Sequence, residues 1–289
     1  MVPPDLATDP SRLEEIAARL RIDIIEMIGK AGSGHPGGSL SVIDIVTCLF
    51  FSKMRHDPRR PDWKERDRFV LSKGHAVPAL YAAMAEAGYF PKEELATLRK
   101  LGSRLQGHPV RNSPPGVEAC TGSLGQGLSV AQGMALASKL DGGSFHVYCV
   151  IGDGESQEGQ IWEAAMSAPK YKVDTLTAIL DYNHGQIDGP VDQVMSIEPV
   201  IDKWRAFNWN VLEIDGHDMG QISSSLDRAK AVKGKPTFIV AHTVKGKGVS
   251  FMENQIAWHG MAPNAEQTAK ALAELRSAYQ RRFGGGNAR

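Results

Sequence analysis

The residues best able to do chemistry stand at the ends of two expected strands. The run Val147-Tyr148-Cys149-Val150-Ile151 leads straight into Gly152-Asp153-Gly154-Glu155. A carboxylate at the C-terminal end of a parallel strand lies at the crevice where such sheets take their ligands. The flanking glycines let backbone approach a phosphate closely, and a helix expected to open near Gln157 aims its positive end at the same place. Asn183 follows the next expected strand, 176–182, thirty residues after Asp153. A crossover of that length holds one helix and one strand, so both side chains should emerge side by side on one sheet edge. Two such oxygen donors beside a diphosphate fit Mg2+, a hard cation usually held by few protein groups plus phosphate oxygens. Either residue alone reads as an ordinary turn or loop residue; two strand ends together make a site.

A second glycine loop, Gly32-Ser33-Gly34-His35-Pro36-Gly37, matches G-x-G-x-x-G literally. The dinucleotide fingerprint needs a strand before it and, about 20 residues on, a strand-terminal acid. A long helix precedes this loop instead and no such strand follows, so the dinucleotide reading is rejected. The loop still sets His35 between glycines that permit close approach of a ligand.

The elements that must position these groups are legible from periodicity. Ser11-x-x-Glu14 has the form of a capping box, and Leu13, Ile16, Ala17, Leu20 and Ile24 continue at helical spacing to about Gly32. Leu40, Ile43, Val46, Thr47 and Phe50 predict a second helix, and Phe69-Val70-Leu71 a strand. Pro91 before Lys92-Glu93-Glu94 predicts a further helix start, residues 102–122 a long loop, and 125–140 a helix. Strands are expected at 145–151, 176–182, 211–214 and 237–242, with helices at 157–168, 199–207 and 217–232 between them. Asn264-x-x-Gln267 opens a last helix carrying Leu272, Leu275 and Tyr279. Strands alternating with helices imply right-handed βαβ units: an α/β fold, mostly a parallel sheet flanked by helices on both faces. No repeat and no linker divides the chain, so residues 1–289 are expected to form one domain with a frayed tail at about 284–289.

Composition narrows the classes. The 289 residues are 42% hydrophobic, and 33 Lys plus Arg balance 33 Asp plus Glu, for no net charge. That balance argues against a nucleic-acid or membrane-surface binder. Cys48, Cys120 and Cys149 are odd in number and show no CxxC spacing, so neither a disulfide framework nor a zinc site is indicated. The segment Met1-Val-Pro-Pro-Asp-Leu6 has no basic region followed by an apolar run, and no stretch approaches 18 uncharged apolar residues. A cytoplasmic setting with no membrane association is the expectation.

Gly152-Asp153-Gly154 followed by Asn183 resembles the thiamine diphosphate motif, and the surrounding sequence resembles the transketolase family over nearly the whole chain. The segments that carry the resemblance are Gly34-His35-Pro36-Gly37, Leu71-Ser72-Lys73-Gly74-His75-Ala76, Gly107-His108-Pro109, Thr121-Gly122-Ser123-Leu124-Gly125-Gln126-Gly127 and Trp258-His259-Gly260. Their common order makes the match far more specific than any one of them.

The resemblance implies thiamine diphosphate and Mg2+ as cofactors, with Ca2+ or Mn2+ able to substitute. It implies Asp153, Asn183 and the backbone carbonyl of Gly185 as metal ligands, with Gly154 and Glu155 beside the diphosphate. Gly122, Ser123 and Leu124 would line the aminopyrimidine side. His75 would contact the diphosphate region, His259 both cofactor and sugar, and Lys245, in Thr243-Val244-Lys245-Gly246-Lys247-Gly248, would be a counter-charge. His35 and His108 match histidines that engage sugar hydroxyls and the carbonyl oxygen. Imidazole suits that work because it titrates near neutrality. The catalytic set implied is therefore His35, His75, His108 and His259, whereas His56, His146, His184, His217 and His242 are assigned to ordinary hydrogen bonding. Glu158 resembles a glutamate at the family's subunit interface.

The inferred reaction is transfer of a two-carbon ketol unit from a ketose or its phosphate to an aldose or its phosphate. In whole transketolases a pyrimidine-binding domain and a third domain follow this region, supplying the activating glutamate, an aromatic cradle and most sugar-phosphate contacts. Only 30 residues follow His259 (289 − 259). The chain therefore looks like the N-terminal subunit of a split transketolase. Its expected partner is a C-terminal subunit holding both missing domains, in a self-associated heterotetramer with two copies of each chain. Alternatives are a subunit resembling deoxyxylulose-phosphate synthase or the first component of an oxo-acid dehydrogenase, or a non-catalytic chain that binds cofactor or partner. The Gly122–Gly127 and Trp258–Gly260 segments favour ketol transfer.

Overall fold

The computed structural model describes residues 9–284; the Met1–Leu6 segment and the expected frayed tail beyond Gly284 lie outside the described residues. Helix α1 (Pro10–Ala31) buries Leu13, Ile16, Ala17, Leu20 and Ile24, and Gly32 closes it in the left-handed conformation at φ 62°. Its cap is not the expected one. Asp9 accepts from the Ser11 N–H, because Pro10 takes the first helical position and draws the start upstream of Ser11. Helix α2 (Pro36–Cys48) is buried on every side. Then follow α3 (Val77–Glu86), α4 (Gln126–Leu140), α5 (Gly159–Lys170), α6 (Val200–Ala206), α7 (Met219–Ala231) and α8 (Ala265–Phe283). The capping box expected at Asn264 and Gln267 opens α8, with both of its reciprocal bonds made.

Two expectations shift. The segment after Pro91 is a 3-10 turn, Lys92–Thr97, rather than an α-helix, because its buried anchors, Leu95 and Leu98, are three apart and no further apolar face follows. The residues after Asp153 first make a 3-10 turn, Glu155–Gln157, so α5 opens at Gly159 rather than near Gln157. Residues 102–122 carry no helix or strand apart from an isolated bridge between Val110 and Ser113, as expected of a long loop.

Strands β1 (Arg68–Leu71), β2 (Val147–Gly152), β3 (Leu176–Tyr182), β4 (Asn210–Asp215) and β5 (Thr237–His242) form one sheet in the order β1-β2-β3-β5-β4, every pair parallel. Alternate strand residues feed two cores. Leu71, Tyr148, Val150, Ile179 and Ile239 pack with α1, α2, α3 and α7 on one face. Val70, Cys149, Ile151, Leu180 and Val240 pack with α4, α5 and α6 on the other. Among the described residues no helix is long and apolar enough to cross a membrane.

Because the strands run in one direction, the segments that leave β1, β2, β3 and β5 emerge at one edge. Their leading residues there are Lys73, Asp153, Asn183 and Lys245. Helix α2 begins against the same edge, and it can do so only because Gly37 lacks a side chain. A Cβ on Gly37 would lie 2.9 Å from both Lys245 Cγ and the Trp258 carbonyl oxygen. The Gly37 carbonyl accepts from the Gly246 N–H at 3.0 Å, which joins α2 to the segment after β5. Gly37→Ala should lower stability by about 1–3 kcal/mol through overpacking, read as a shift of the urea midpoint at unchanged slope. An unshifted midpoint would show that Trp258 and Lys245 yield freely.

Candidate active site

A cavity of about 210 Å³ opens where β2 and β3 end, walled by Asp153, Asn183, Gly185, Lys245, His75 and His259 among others. Asp153 is 2% exposed. Its Oδ1 accepts from the Gly154 N–H at 2.8 Å, whereas its buried Oδ2 has no hydrogen-bond partner. Burial pushes the Asp153 carboxyl above its ordinary value, with Lys245 opposing. An unpaired buried carboxylate oxygen is costly unless a cation or donor completes it.

Asn183 supplies the next oxygen, and its orientation is dictated from behind. Its Nδ2 donates to Ser41 Oγ at 3.2 Å and to Asp181 Oδ2 at 3.3 Å. Oδ1 is thereby turned to Lys245 Nζ, 3.2 Å away, and the same ammonium donates to the Gly185 carbonyl at 3.0 Å. The two neutral oxygens expected to bind a metal thus already converge on a positive charge. Among the described residues no three His, Cys, Asp or Glu side chains gather to hold a metal. One carboxylate with an amide and a carbonyl oxygen is a donor set suited to Mg2+ beside phosphate oxygens, and the unpaired Asp153 Oδ2 supplies its negative charge. The residues present fit the group.

Two lysines face this anion-seeking cavity. Lys245 is 2% exposed, and burial followed by repulsion from Lys73 lowers its ammonium to about 8, against the attraction of Asp153 and Asp181. Lys73 pairs with Asp181, which is wholly buried and also accepts from Ser41 Oγ at 2.6 Å and from Thr243 Oγ1. Burial alone would raise the Asp181 carboxyl; Lys73 and these hydroxyl donors hold it below the usual aspartate value. Glu155 also reaches the cavity wall, but its oxygens accept from Ser72 Oγ and from the Gly125 and Gly152 N–H groups, each of the latter at 2.9 Å. It braces the loops around Asp153. Gly154 lets the turn at Gln186 close: a Cβ there would stand 2.8 Å from Gln186 Cβ.

The four histidines singled out come together, His75 and His259 lining the cavity and His35 and His108 next to them. The ring of His35 lies 5.3 Å from that of His75, 6.1 Å from His108 and 5.9 Å from His259, and His75 stacks on His259 at 4.9 Å. Burial, and after it the neighbouring cations, lowers all four: His35 to about 4, His259 to about 3, His75 well below its ordinary value, and His108 in the same direction. All are therefore neutral at pH 7, each with one donor and one acceptor nitrogen. Arg99 assigns them for His35. Its Nη2 lies 3.4 Å from His35 Nδ1, and a guanidinium can only donate, so Nδ1 is the bare nitrogen and Nε2 carries the proton. Arg99 also donates to Ser33 Oγ and to the Gly107 carbonyl beside His108, and sits at φ 59°, in the left-handed region. The exposed Gly122-Ser123-Leu124 segment passes next to His108, and a Cβ on Gly122 would be 3.7 Å from that side chain. Glu158 is exposed at the rim, where α5 begins.

With this geometry in view, the likeness to known proteins has a physical meaning. Residues 13–283 match the family described as "Transketolase, thiamine diphosphate binding domain". The chain belongs to the transketolase family. It is 50% identical over 263 residues to the 6-deoxy-6-sulfo-D-fructose transketolase subunit SqwG of Clostridium sp. (strain MSTE9), a match covering 91% of this chain and 96% of that one. It is 44% identical over 263 residues to one subunit of the apulose-4-phosphate transketolase of Phocaeicola vulgatus, covering 91% and 93%. The crystal structure of Campylobacter jejuni transketolase superposes with a TM-score of 0.87 at 36% identity, covering 94% of this chain but 45% of that one. The chain thus spans nearly the full length of two relatives named as transketolase subunits and under half of that solved transketolase.

Sequence reasoning missed the groups that work from behind. Lys73 lay within a recognised segment, yet nothing local marked its pairing with Asp181. Arg99 stands in a turn with no motif signal. The histidines generate a pH prediction. An imidazole with a folded pKa below its unfolded value of about 6.5 binds fewer protons in the native state, so its environment is neutral to stability above that pH and costs stability as pH falls toward 4. The melting temperature should therefore drop between pH 6.5 and 4.5, and a His35→Asn/His259→Asn double variant should drop less. Parallel profiles for the two proteins would contradict the shifts.

Proposed function

We propose that this chain is the diphosphate-binding subunit of a two-chain transketolase, moving a two-carbon ketol unit from a ketose to an aldose. The observation that carries the reading is the unpaired Asp153 Oδ2 in one cavity with Asn183, Gly185, His75 and His259, the last two grouped with His35 and, through it, His108. Asp153, Asn183 and Gly185 hold Mg2+, for which Ca2+ or Mn2+ substitutes, and Lys245, His75 and the Gly154 backbone face the diphosphate. Gly122, Ser123 and Leu124 line the aminopyrimidine side. When bound, thiamine diphosphate supplies the electron sink that breaking a C–C bond beside a carbonyl requires.

The protein's own part is orientation and proton handling. His35 donates from Nε2–H to a sugar oxygen, with Arg99 holding its other nitrogen. His108, next to it, completes the grip on adjacent hydroxyls, and His259 reaches both cofactor and sugar. Neutral imidazoles suit this role, since each donates to one hydroxyl or carbonyl and accepts from another without adding charge. The relatives' names specify 6-deoxy-6-sulfo-D-fructose and apulose 4-phosphate, both sugars with a terminal anion, and a ketose of that kind is the substrate class proposed here. The anionic end is held by the partner, a C-terminal subunit with a pyrimidine-binding and a third domain. Glu158 lies at the interface of a cytoplasmic heterotetramer with two copies of each chain.

Asp153→Ala should abolish Mg2+-dependent binding of thiamine diphosphate by the assembled complex in calorimetry; unchanged affinity would refute the metal assignment. His35→Asn and His108→Asn should each lower kcat/KM on the order of 10²-fold while leaving cofactor affinity near that of the unaltered complex. A ketose phosphate should be cleaved to an aldose phosphate with no 2-oxo acid consumed; inertness toward ketose phosphates together with CO2 release from a 2-oxo acid would move the reading to a subunit resembling deoxyxylulose-phosphate synthase or an oxo-acid dehydrogenase.

A further inference from the structure

Lys245 reaches the cavity from the segment after β5, and that segment is held from outside the cavity by three side chains distant from one another in the chain. His217 follows β4, Asp44 lies on α2 and Arg21 on α1. The Val244 N–H donates to His217 Nε2 at 2.9 Å. His217 Nδ1 lies 2.6 Å from Asp44 Oδ2. Asp44 in turn accepts from Arg21 Nη1 at 3.0 Å and Nη2 at 2.5 Å, and Arg21 Nε donates to the Lys247 carbonyl at 3.3 Å.

The proton positions follow from chemistry. A backbone N–H only donates, so Nε2 of His217 is the bare nitrogen, and Nδ1 carries the proton that it donates to Asp44. These two bonds fix the ring in one tautomer and one orientation. Side-chain exposures of 14% for His217, 7% for Asp44 and 11% for Arg21 leave the bonds largely buried, beside a separate cavity of about 250 Å³ that all three line. None of the three lines the cavity that Lys245 reaches. They act on it through the main chain, one bond at Val244 and one at Lys247, on either side of Lys245. With Gly246 N–H bound to the Gly37 carbonyl, the turn has three anchors in four residues.

We propose that Arg21, Asp44 and His217 are a positioning triad for Lys245, fixing the backbone on both sides of it so that its side chain enters the diphosphate cavity from a main chain already held. The inference rests on the assignment of the cavity to Mg2+ and thiamine diphosphate. A lysine carries four methylenes of rotational freedom, and a backbone held on both sides reduces what must be ordered when the anion arrives. None of the three touches a reacting atom, so they are positioning rather than catalytic residues.

The test is calorimetric binding of Mg2+-thiamine diphosphate to the full chain purified with its partner subunit. Removing an outer-shell partner of this kind is expected to weaken binding on the order of 10-fold. His217→Leu should show such a loss, Lys245→Met, which removes a group facing the diphosphate itself, a loss at least as large, and the double variant should bind no more weakly than Lys245→Met alone. His217→Gln should recover most of the affinity, because its amide can accept from Val244 N–H and donate to Asp44. Should the leucine variant fail to fold in a melting experiment, the near-isosteric Asp44→Asn serves the same comparison. Unaltered affinity in His217→Leu, losses that multiply in the double variant, or no recovery with glutamine would each overturn the triad. An unaltered complex that takes up no thiamine diphosphate would overturn the cavity assignment itself, and the triad with it.

Discussion

A carboxylate sealed from water has to find its donors inside the protein, and Asp181 draws them from four segments. Lys73 comes from the end of β1, Ser41 from α2, Thr243 from the end of β5, and Asn183 from two residues further along its own segment. Displacing any one of these segments leaves a buried charge short of a partner, and breaking such a pair outright costs about 3–5 kcal/mol. What the arrangement contributes is placement. By engaging the amide nitrogen of Asn183 it turns the amide oxygen toward Lys245, on the side where Asp153 waits with an unpaired oxygen.

The charges at this edge are divided by depth. At the foot of the cavity Asp153 and Lys245 are both pushed toward neutrality by burial, one upward and one downward, so each gains from a ligand of opposite charge. The four neighbouring imidazoles are kept neutral by the same burial, with the cations beside them adding to it. A cavity that holds charge deep and hydrogen-bonding neutrality outside can grip a metal-diphosphate at one end and a polyhydroxylated chain at the other. The parallel sheet makes this possible, since it delivers the ends of β1, β2, β3 and β5 to one edge while helices close both faces.

Much of the frame was legible in the sequence. Strands β3 and β5 coincide with their expected spans residue for residue, and β2 and β4 depart by only one or two residues at an end, because buried parallel strands read as short runs of β-branched and aliphatic residues. The capping box at Asn264 was equally visible, since both of its bonds are local. Ser11 does not cap α1 because Pro10 competes for the same turn, and the segment after Pro91 is ambiguous in sequence because two apolar residues three apart do not distinguish a 3-10 turn from the start of an α-helix. His217 makes hydrogen bonds as expected, but its partners, Asp44 and the Val244 N–H, lie 173 and 27 positions away, beyond the reach of any local pattern.

The sequence alone determined which chemistry was available: an aspartate and an asparagine at successive strand ends, histidines in glycine- and proline-containing loops, and a lysine after the last strand. Residue type and local period carry that information, because the interactions that set them lie within a few positions along the chain. The tertiary structure decided how those groups are used: which nitrogen of His35 bears the proton, which way the Asn183 amide faces, and that four histidines come together. Such choices are made by contacts between distant residues, among them the bond from Arg21 to the Lys247 carbonyl, which spans 226 positions. No local pattern encodes a partner that only folding brings within reach.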